Sequence, residues 1–249
     1  MAEISTVPFA EPPYLRGLPS PYYNESHRRF QKACRAFLYE NLLKHAMEWE
    51  KAGTVPEHVF SDFCKANMLL PNLPAPLPVA WLKRLGIHDI LGVKVEEWDY
   101  LHTGIYSDEM ARSGLSGPSG SLTAGFAFGT PPIIKYGSKE LQEKFLPDLL
   151  TGKKRNCIAI TEPDAGSDVA GITTTATKSA DGKYYIVNGN KKWYACSFIP
   201  FSFAFLSRDV VECRTKFAGS QTASGLSTAP WPCAPVDLVQ AASPCLSFH

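Results

Sequence analysis

The 249-residue sequence predicts an α+β protein in which an all-helical N-terminal domain is followed by an antiparallel β domain. Apolar residues recur at helical spacing from Asn24 to about residue 150. From Asn156 the pattern changes to short β-branched runs, separated by the turn signals Asp181-Gly182 and Asn188-Gly189. A set of helices followed by a set of strands is typical of the α+β class.

The first helices follow residues 1–23, which are rich in proline and aromatic residues and are predicted to form an extended lead-in. A helix is predicted from Asn24 to Gly53, because its apolar stripe consists of Phe30, Cys34, Phe37, Leu38, Leu42 and Trp49. The sequence Thr54-Val55-Pro56-Glu57 has the spacing of a capping box, so a second helix is predicted from there to about Asn67.

The next segment alternates connectors and helices. Residues 71–78 contain four prolines and predict a loop or an extended connector. A helix is predicted over residues 96–112, ending near Gly114. The small residues between 114 and 129 indicate a helix that packs very closely on its neighbours. Ser138 is the predicted N-cap of a further helix over residues 139–150.

The β domain is predicted to be an antiparallel meander. Residues 157–160 form a short buried-strand run, residues 173–178 alternate with β-branched side chains, and residues 184–187 return after a hairpin turn. Asn188-Gly189 predicts a second hairpin before the sequence Lys191-Lys192-Trp193.

The composition changes abruptly at Tyr194. Of the 49 charged residues only six lie in residues 194–249, whereas four of the seven cysteines do. No sustained periodicity is evident there, so we expect an atypical tail that was not selected to fold with the rest of the chain.

The bulk properties exclude several classes of protein. A net charge of +1 gives no reason to expect nucleic-acid or anionic-membrane partners. The longest apolar stretch, residues 198–206, is too short to span a membrane. Seven cysteines without a C-x-x-C pair and six scattered histidines favour neither a disulfide framework nor a metal site. With no secretory signal, we expect an intracellular protein, without a choice between cytoplasm, mitochondrion and peroxisome.

The sequence ITEPDAGSDVAG, residues 160–171, is suited to neither a helix nor a strand. Pro163 lacks a backbone donor, and Gly166 and Gly171 weaken regular structure. Small side chains in a loop let backbone N–H groups and hydroxyls approach a ligand closely. Taken alone, the segment is equally consistent with a polar surface turn.

Four segments in a fixed order give the chain a family resemblance. They are AMEWEKAGTVPEHVF, GTPPIIKYGSKELQEKFLPDLLTGK, AITEPDAGSDVAG and VNGNKKW. With them, residues from about Asn24 to Trp193 resemble the N-terminal and middle domains of the acyl-CoA dehydrogenase family, flavoenzymes that introduce an α,β double bond into acyl-CoA thioesters. The resemblance implies a helical domain over residues 24–153 and a partial middle β domain over residues 154–193.

The resemblance also implies a cofactor site for FAD. Main-chain groups near Ile160 and the Thr161 hydroxyl would hydrogen-bond the flavin ring, and Gly166 would permit its close approach. Ser167 would contact both the flavin and the acyl-CoA substrate, and the indole of Trp193 would pack on the flavin. The full set of implied cofactor-binding residues is Ile158, Ala159, Ile160, Thr161, Gly166, Ser167 and Trp193.

The resemblance implies no catalytic base in this chain. In relatives a glutamate of a C-terminal helical domain takes the proton beside the thioester carbonyl, and that domain is not evident here. Glu162, Asp164 and Asp168 are therefore not taken as the base. Tyr194 and Ala195 stand where the family has isoleucine and threonine. The codons for Trp193 to Ala195 also contain the form of a eukaryotic 5′ splice site, so we hypothesise that residues 194–249 are a read-through intron or a truncated allele.

Three functions remain open from the sequence. The first is an FAD-dependent acyl-CoA dehydrogenase of fatty-acid or secondary metabolism, in a truncated form. The second is an oxidase on the same fold, like acyl-CoA oxidase or nitroalkane oxidase. The third is a non-catalytic remnant of such an enzyme. The expected partners are an acyl-CoA, an electron-transfer flavoprotein or oxygen as acceptor, and further copies of the chain if it is full-length.

Overall fold

Helices occupy most of the first 150 residues, and short strands follow them, as the sequence predicts. The computed structural model describes residues 5, 7, 10–158, 160–178, 180, 185–189, 202–206 and 209–213. The helices are α1 (Glu25–Leu38), α2 (Ala46–Ala52), α3 (Glu57–Lys65), α4 (Val79–Arg84), α5 (Tyr100–Ala111), α6 (Gly117–Tyr136) and α7 (Lys139–Leu150). The strands are β1 (Asp89–Ile90), β2 (Val93–Lys94), β3 (Arg155–Ile158), β4 (Thr175–Lys178), β5 (Tyr185–Asn188), β6 (Ser202–Leu206) and β7 (Asp209–Cys213).

Helix α1 begins where the helical pattern of the sequence begins, and Asn24 is its N-cap. The Asn24 side chain accepts a hydrogen bond from the His27 backbone at 3.2 Å, and the His27 ring accepts one from the Asn24 backbone at 3.0 Å. This reciprocal pair is a capping box with histidine at its third position. The predicted single helix to Gly53 is interrupted by a π-helical turn, Tyr39–Leu43, before α2. Gly53 ends α2 with a φ of 71°.

The capping box predicted at the start of α3 is wrong. The N-cap is Pro56, and no side chain caps the helix. Because Glu57 is the first helical residue, Thr54 lies two residues before the cap and outside the position from which a capping hydroxyl reaches the first turn.

Three short elements, α4, β1 and β2, were not predicted from the sequence. Helix α4 has only six residues, and β1 and β2 pair over two residues each. The hairpin turn between the strands places Leu91 and Gly92 at φ values of 48° and 82°, and the Gly92 backbone donates to the Asp89 carboxylate at 3.0 Å. Such short elements carry too few residues to show a period.

Helices α5 to α7 agree with the predicted pattern. Helix α5 packs along α1, and a turn at Gly114 follows it with a φ of 68°. Helix α6 contains the small-residue segment and two consecutive prolines. The Ser138 hydroxyl accepts from the Leu141 backbone at 3.3 Å, which confirms the predicted cap of α7.

The strands confirm one predicted hairpin and correct the rest of the meander. Strands β4 and β5 are antiparallel, with Thr175 opposite Asn188. Strand β3 instead pairs in parallel with β6, and β6 pairs antiparallel with β7. Residues 202–206 and 209–213 lie in the tail that was not expected to fold with the rest of the chain. Their sequences, SFAFL and DVVEC, are short strand-like runs that a search for sustained periodicity overlooked. The second hairpin, at Asn188-Gly189, extends outside the described residues.

The described residues fall into two compact units. The first contains those up to Thr123, together with Leu150–Gly152, and the second contains Ala124–Leu149 and the described residues from Lys153 onward. The core of the first unit includes Phe30, Leu38, Phe63, Met68, Leu82 and Ile90. In the second, the α6 and α7 residues Ile133, Phe145, Leu146 and Leu149 are buried. No helix in the described residues is long and apolar enough to cross a membrane.

Candidate functional site

The loop of interest leaves the end of β3 and reaches β4. Its first half is a turn in which the backbones of Glu162 and Ala165 bond to each other in both directions, at 2.9 and 3.3 Å. Pro163 occupies the second position of this turn, where its fixed φ is favourable. Ala165, the last residue of the turn, is buried. A single 3-10 turn, Val169–Gly171, then carries the chain towards β4.

The carboxylate of Glu162 closes the loop. It is only 3% exposed and accepts hydrogen bonds from the backbone and hydroxyl of Thr173 at 2.7 and 2.8 Å. Its other oxygen accepts from the Thr174 backbone at 3.0 Å and from the Thr174 hydroxyl. With both oxygens occupied by donors, this carboxylate is anchored in the structure and is a poor candidate for a proton acceptor.

The predicted cofactor residues are only partly within the described structure. Ile158 ends β3, and its side chain lies outside the description, as do Ala159 and Trp193 entirely. Ile160 and Thr161 are half-buried immediately before the Glu162 turn. Gly166 and Ser167 are exposed immediately after it. The structure therefore brings Thr161, Gly166 and Ser167 to the two ends of one short turn.

The chemistry of these three positions suits a ligand. Within the described part of the chain, the hydroxyls of Thr161 and Ser167 have no hydrogen-bond partner. Gly166 does not have a positive φ, and a Cβ added there would meet no described atom within 4 Å. Neither backbone conformation nor protein packing explains the glycine, whereas close approach of a ligand would.

Gly189 shows the contrasting case of a glycine that the protein itself requires. A Cβ at Gly189 would lie 2.8 Å from the Cα of Thr174. Thr174 is held there by Glu162, next to the start of β4. The close packing of the loop on the β4–β5 hairpin therefore accounts for Gly189 without a ligand.

A second polar cluster, which the sequence did not predict, joins α1 and α5. Asp99 caps α5 through the backbones of Leu101 and His102, and it accepts from the His27 ring at 3.0 Å. The two histidine rings lie 4.2 Å apart. Burial would raise the pKa of Asp99, but the hydrogen bonds from His27 and His102 outweigh it and lower that pKa.

These three side chains could also hold a metal ion by their types and spacing. However, the Nδ1 of His27 accepts the Asn24 backbone N–H, so a neutral His27 has its proton on Nε2, the nitrogen that faces Asp99. That nitrogen then has no lone pair to offer a metal. The cluster is accounted for as two helix caps in contact.

A buried ionic network ties the lead-in to the same two helices. The Arg35 guanidinium donates to Glu11 at 2.9 and 2.7 Å and to Glu109 at 2.9 and 2.7 Å. Gln31 donates to Glu109 at 2.8 Å. Burial opposes the charge of Arg35, but its hydrogen bonds with Glu109 and Glu11 outweigh this and raise its pKa. Arg112 supplies the second positive charge, 3.4 Å from Glu11 and 3.6 Å from Glu109. The network is therefore structural, since its two carboxylates are matched by two guanidinium groups.

The helical segment, the strands after it and the closed loop between β3 and β4 define an α+β protein with a small-residue loop in its β part. Its sequence matches the N-terminal domain of acyl-CoA dehydrogenase over residues 24–153, more than half of the chain, and the middle domain over residues 157–227. The chain belongs to the acyl-CoA dehydrogenase family. The middle-domain match runs past Trp193, so the family pattern extends further than we expected from the sequence.

Individual relatives agree with the family match. Acyl-CoA dehydrogenase AFT10-1 of Alternaria alternata is 38% identical over 192 residues, which are 76% of this chain and 43% of that protein. The mitochondrial long-chain specific acyl-CoA dehydrogenase of Mus musculus is 36% identical over 169 residues, 68% of this chain and 35% of that protein. The crystal structure of acyl-CoA dehydrogenase from Geobacillus kaustophilus has a TM-score of 0.57 at 27% identity, and the match covers 78% of this chain and 49% of that one. The chain thus spans less than half the length of these relatives.

Proposed function

We propose that this chain carries the flavin-binding and thioester-binding loop of an FAD-dependent acyl-CoA dehydrogenase. Membership of the family supports the class of reaction, and the geometry of the loop supports its assignment as the binding site. The observation that carries the proposal is the pair of hydroxyls, Thr161 and Ser167, on either side of an anchored turn, neither of which has a partner among the described residues. Gly166 beside them leaves open space where any other residue would put a side chain.

The described residues fit such a group. FAD, when bound, would supply the acceptor for the hydride that leaves the β-carbon of the thioester. Thr161 and backbone groups near Ile160 would donate hydrogen bonds to the flavin ring and fix its orientation. The Ser167 hydroxyl would face both the flavin and the thioester. Donors held in place before the reaction are more effective than donors that must reorganise, which is why an anchored turn matters here.

No residue of this loop is proposed as the base. Both carboxylate oxygens of Glu162 already accept hydrogen bonds, and Asp164 and Asp168 are exposed to solvent. Their role in the proposal is limited to the charge and conformation of the loop.

The test is a titration of the purified chain with FAD, followed by anaerobic addition of acyl-CoA thioesters of several lengths. We expect saturable quenching of flavin fluorescence, and a shift of the visible flavin spectrum when the thioester binds. Bleaching of the flavin would show dehydrogenation, and release of hydrogen peroxide in air would show the oxidase alternative instead of an electron-transfer flavoprotein as acceptor. A folded chain that binds neither FAD nor acyl-CoA would overturn the proposal.

A further inference from the structure

We propose that Glu162 is the positioning residue of the flavin loop: its buried carboxylate sets where the Thr161 and Ser167 hydroxyls stand. This inference rests on the proposed function, because those hydroxyls matter only if they face a ligand. The carboxylate spans the loop, joining Glu162 at the start of the turn to the threonine pair that precedes β4.

The geometry calls for an acceptor atom at both ends of the side-chain group, because each faces a backbone N–H, and a carboxylate supplies both. Each oxygen of Glu162 accepts one backbone N–H and one hydroxyl, from Thr173 and Thr174 respectively. A glutamine of the same shape would replace one oxygen by an NH2 group and turn it towards N–H donors. The bond to one backbone N–H would then be lost and a buried donor would face another donor, whereas the threonine hydroxyl on that side could turn to accept from the NH2 group.

The anchored carboxylate acts on its neighbours through the backbone. Glu162 is also the first residue of the turn that it shares with Ala165, so fixing its side chain and its backbone fixes the whole turn. Thr161 directly precedes this turn, and Gly166 directly follows it. The two hydroxyls proposed to meet the ligand are therefore one and five residues from Glu162 along a chain segment with little freedom.

The threonine end of the Glu162–Thr174 interaction is also held in place. Thr174 is adjacent to the first residue of β4, which pairs with β5, and it packs against Gly189 closely enough to exclude a Cβ there. Glu162 thus joins the turn of the loop to a paired hairpin. A carboxylate whose only task was solubility would not be 3% exposed.

The experiment compares Glu162→Gln with Asp164→Asn in the full chain. Both substitutions remove one negative charge from the same turn, but Asp164 is exposed and is the matched control. Two readouts are taken: hydrogen exchange at the Thr173 and Thr174 amides without cofactor, and FAD affinity with the shape of the bound flavin spectrum. The first reports on the loop alone, and the second reports on its presentation to the ligand.

We expect Glu162→Gln to speed exchange at both amides and to weaken FAD binding by about tenfold or more, the effect of losing a hydrogen bond to a charged group. The vibronic shoulder of the bound flavin should flatten as well, whereas Asp164→Asn should leave both readouts unchanged. If Glu162→Gln fails to fold, Thr173→Val keeps the backbone bonds and removes one hydroxyl donor, and a smaller loss in the same direction is expected.

Slow exchange and wild-type FAD affinity in Glu162→Gln would overturn the inference, as would equal losses in Asp164→Asn. A wild-type chain that binds no FAD would reject the proposed function and, with it, the flavin role of Glu162. The exchange readout would then still show whether Glu162 fixes the loop, so the two failures are distinguishable.

Discussion

Removing the guanidinium of Arg35 tests the buried network of the first unit. Arg35 is 4% exposed and has two hydrogen bonds to each of two carboxylates, Glu11 and Glu109. In Arg35→Ala, Glu11 can move into water with the lead-in, but Glu109 lies at 1% exposure within α5 and cannot. Breaking one partner from a buried pair costs about 3–5 kcal/mol, so we expect the free energy of unfolding to fall by that amount.

Thermal unfolding followed by circular dichroism measures this loss. For a chain of this size the expected fall in melting temperature is roughly 6–20 °C. Arg29→Ala, at an exposed position of the same helix, is the matched control and should change little. The double variant Arg35→Met with Glu109→Met should recover part of the loss, because it leaves no unpaired charge at α5. If Arg35→Ala melts like the wild type, the network does not carry the stability that its geometry indicates.

Three further predictions follow from the caps, the carboxylates and the glycines. Asn24→Ala removes the side-chain half of the α1 capping box and should cost about 1 kcal/mol in chemical denaturation, and an unchanged midpoint would contradict the cap. Burial would raise the pKa of Glu11, but its hydrogen bonds with Arg35 and Ser5 outweigh this and lower the pKa from 4.5. The contribution of Glu11 to folding stability is therefore present above pH 4.5 and is lost as the pH falls through the lowered pKa. Acid titration of stability should therefore be less steep in Glu11→Gln, and identical slopes would refute this assignment. Gly166→Ala should keep the wild-type melting temperature and weaken FAD binding. Gly189→Ala should lower the melting temperature, because its Cβ would clash with Thr174. The reverse pattern would contradict the roles assigned to both glycines.

Local signals in the sequence were enough to place most helices. Asn24, Gly53 and Ser138 act on residues within one turn of themselves, so their roles can be inferred from spacing alone. The prediction of Thr54 as a cap was wrong, because the N-cap is set by the backbone conformation just before α3, and that conformation makes Pro56 the N-cap. Short elements such as α4 left no period to detect.

The interactions that shape the site are not local, and for this reason the sequence did not reveal them. Glu162 meets threonines 11 and 12 residues later, and His27 meets Asp99 across 72 residues. Nothing in the spacing of these residues distinguishes them from other acidic or histidine residues. The parallel pairing of β3 with β6 has the same origin, because strand partners are selected by the folded sheet. The loop itself was predicted, since its small residues are contiguous.

The central claim, that the loop after β3 binds a flavin, is tested most directly by a fluorescence titration of FAD with the wild-type chain and with Thr161→Val. Valine keeps the shape of threonine and replaces its hydroxyl by a methyl group, which cannot hydrogen-bond. We predict saturable quenching by the wild type and clearly weaker binding by the variant, at equal melting temperatures. A folded wild-type chain that leaves FAD fluorescence unchanged, or a Thr161→Val variant that binds FAD as tightly as the wild type, would contradict the account.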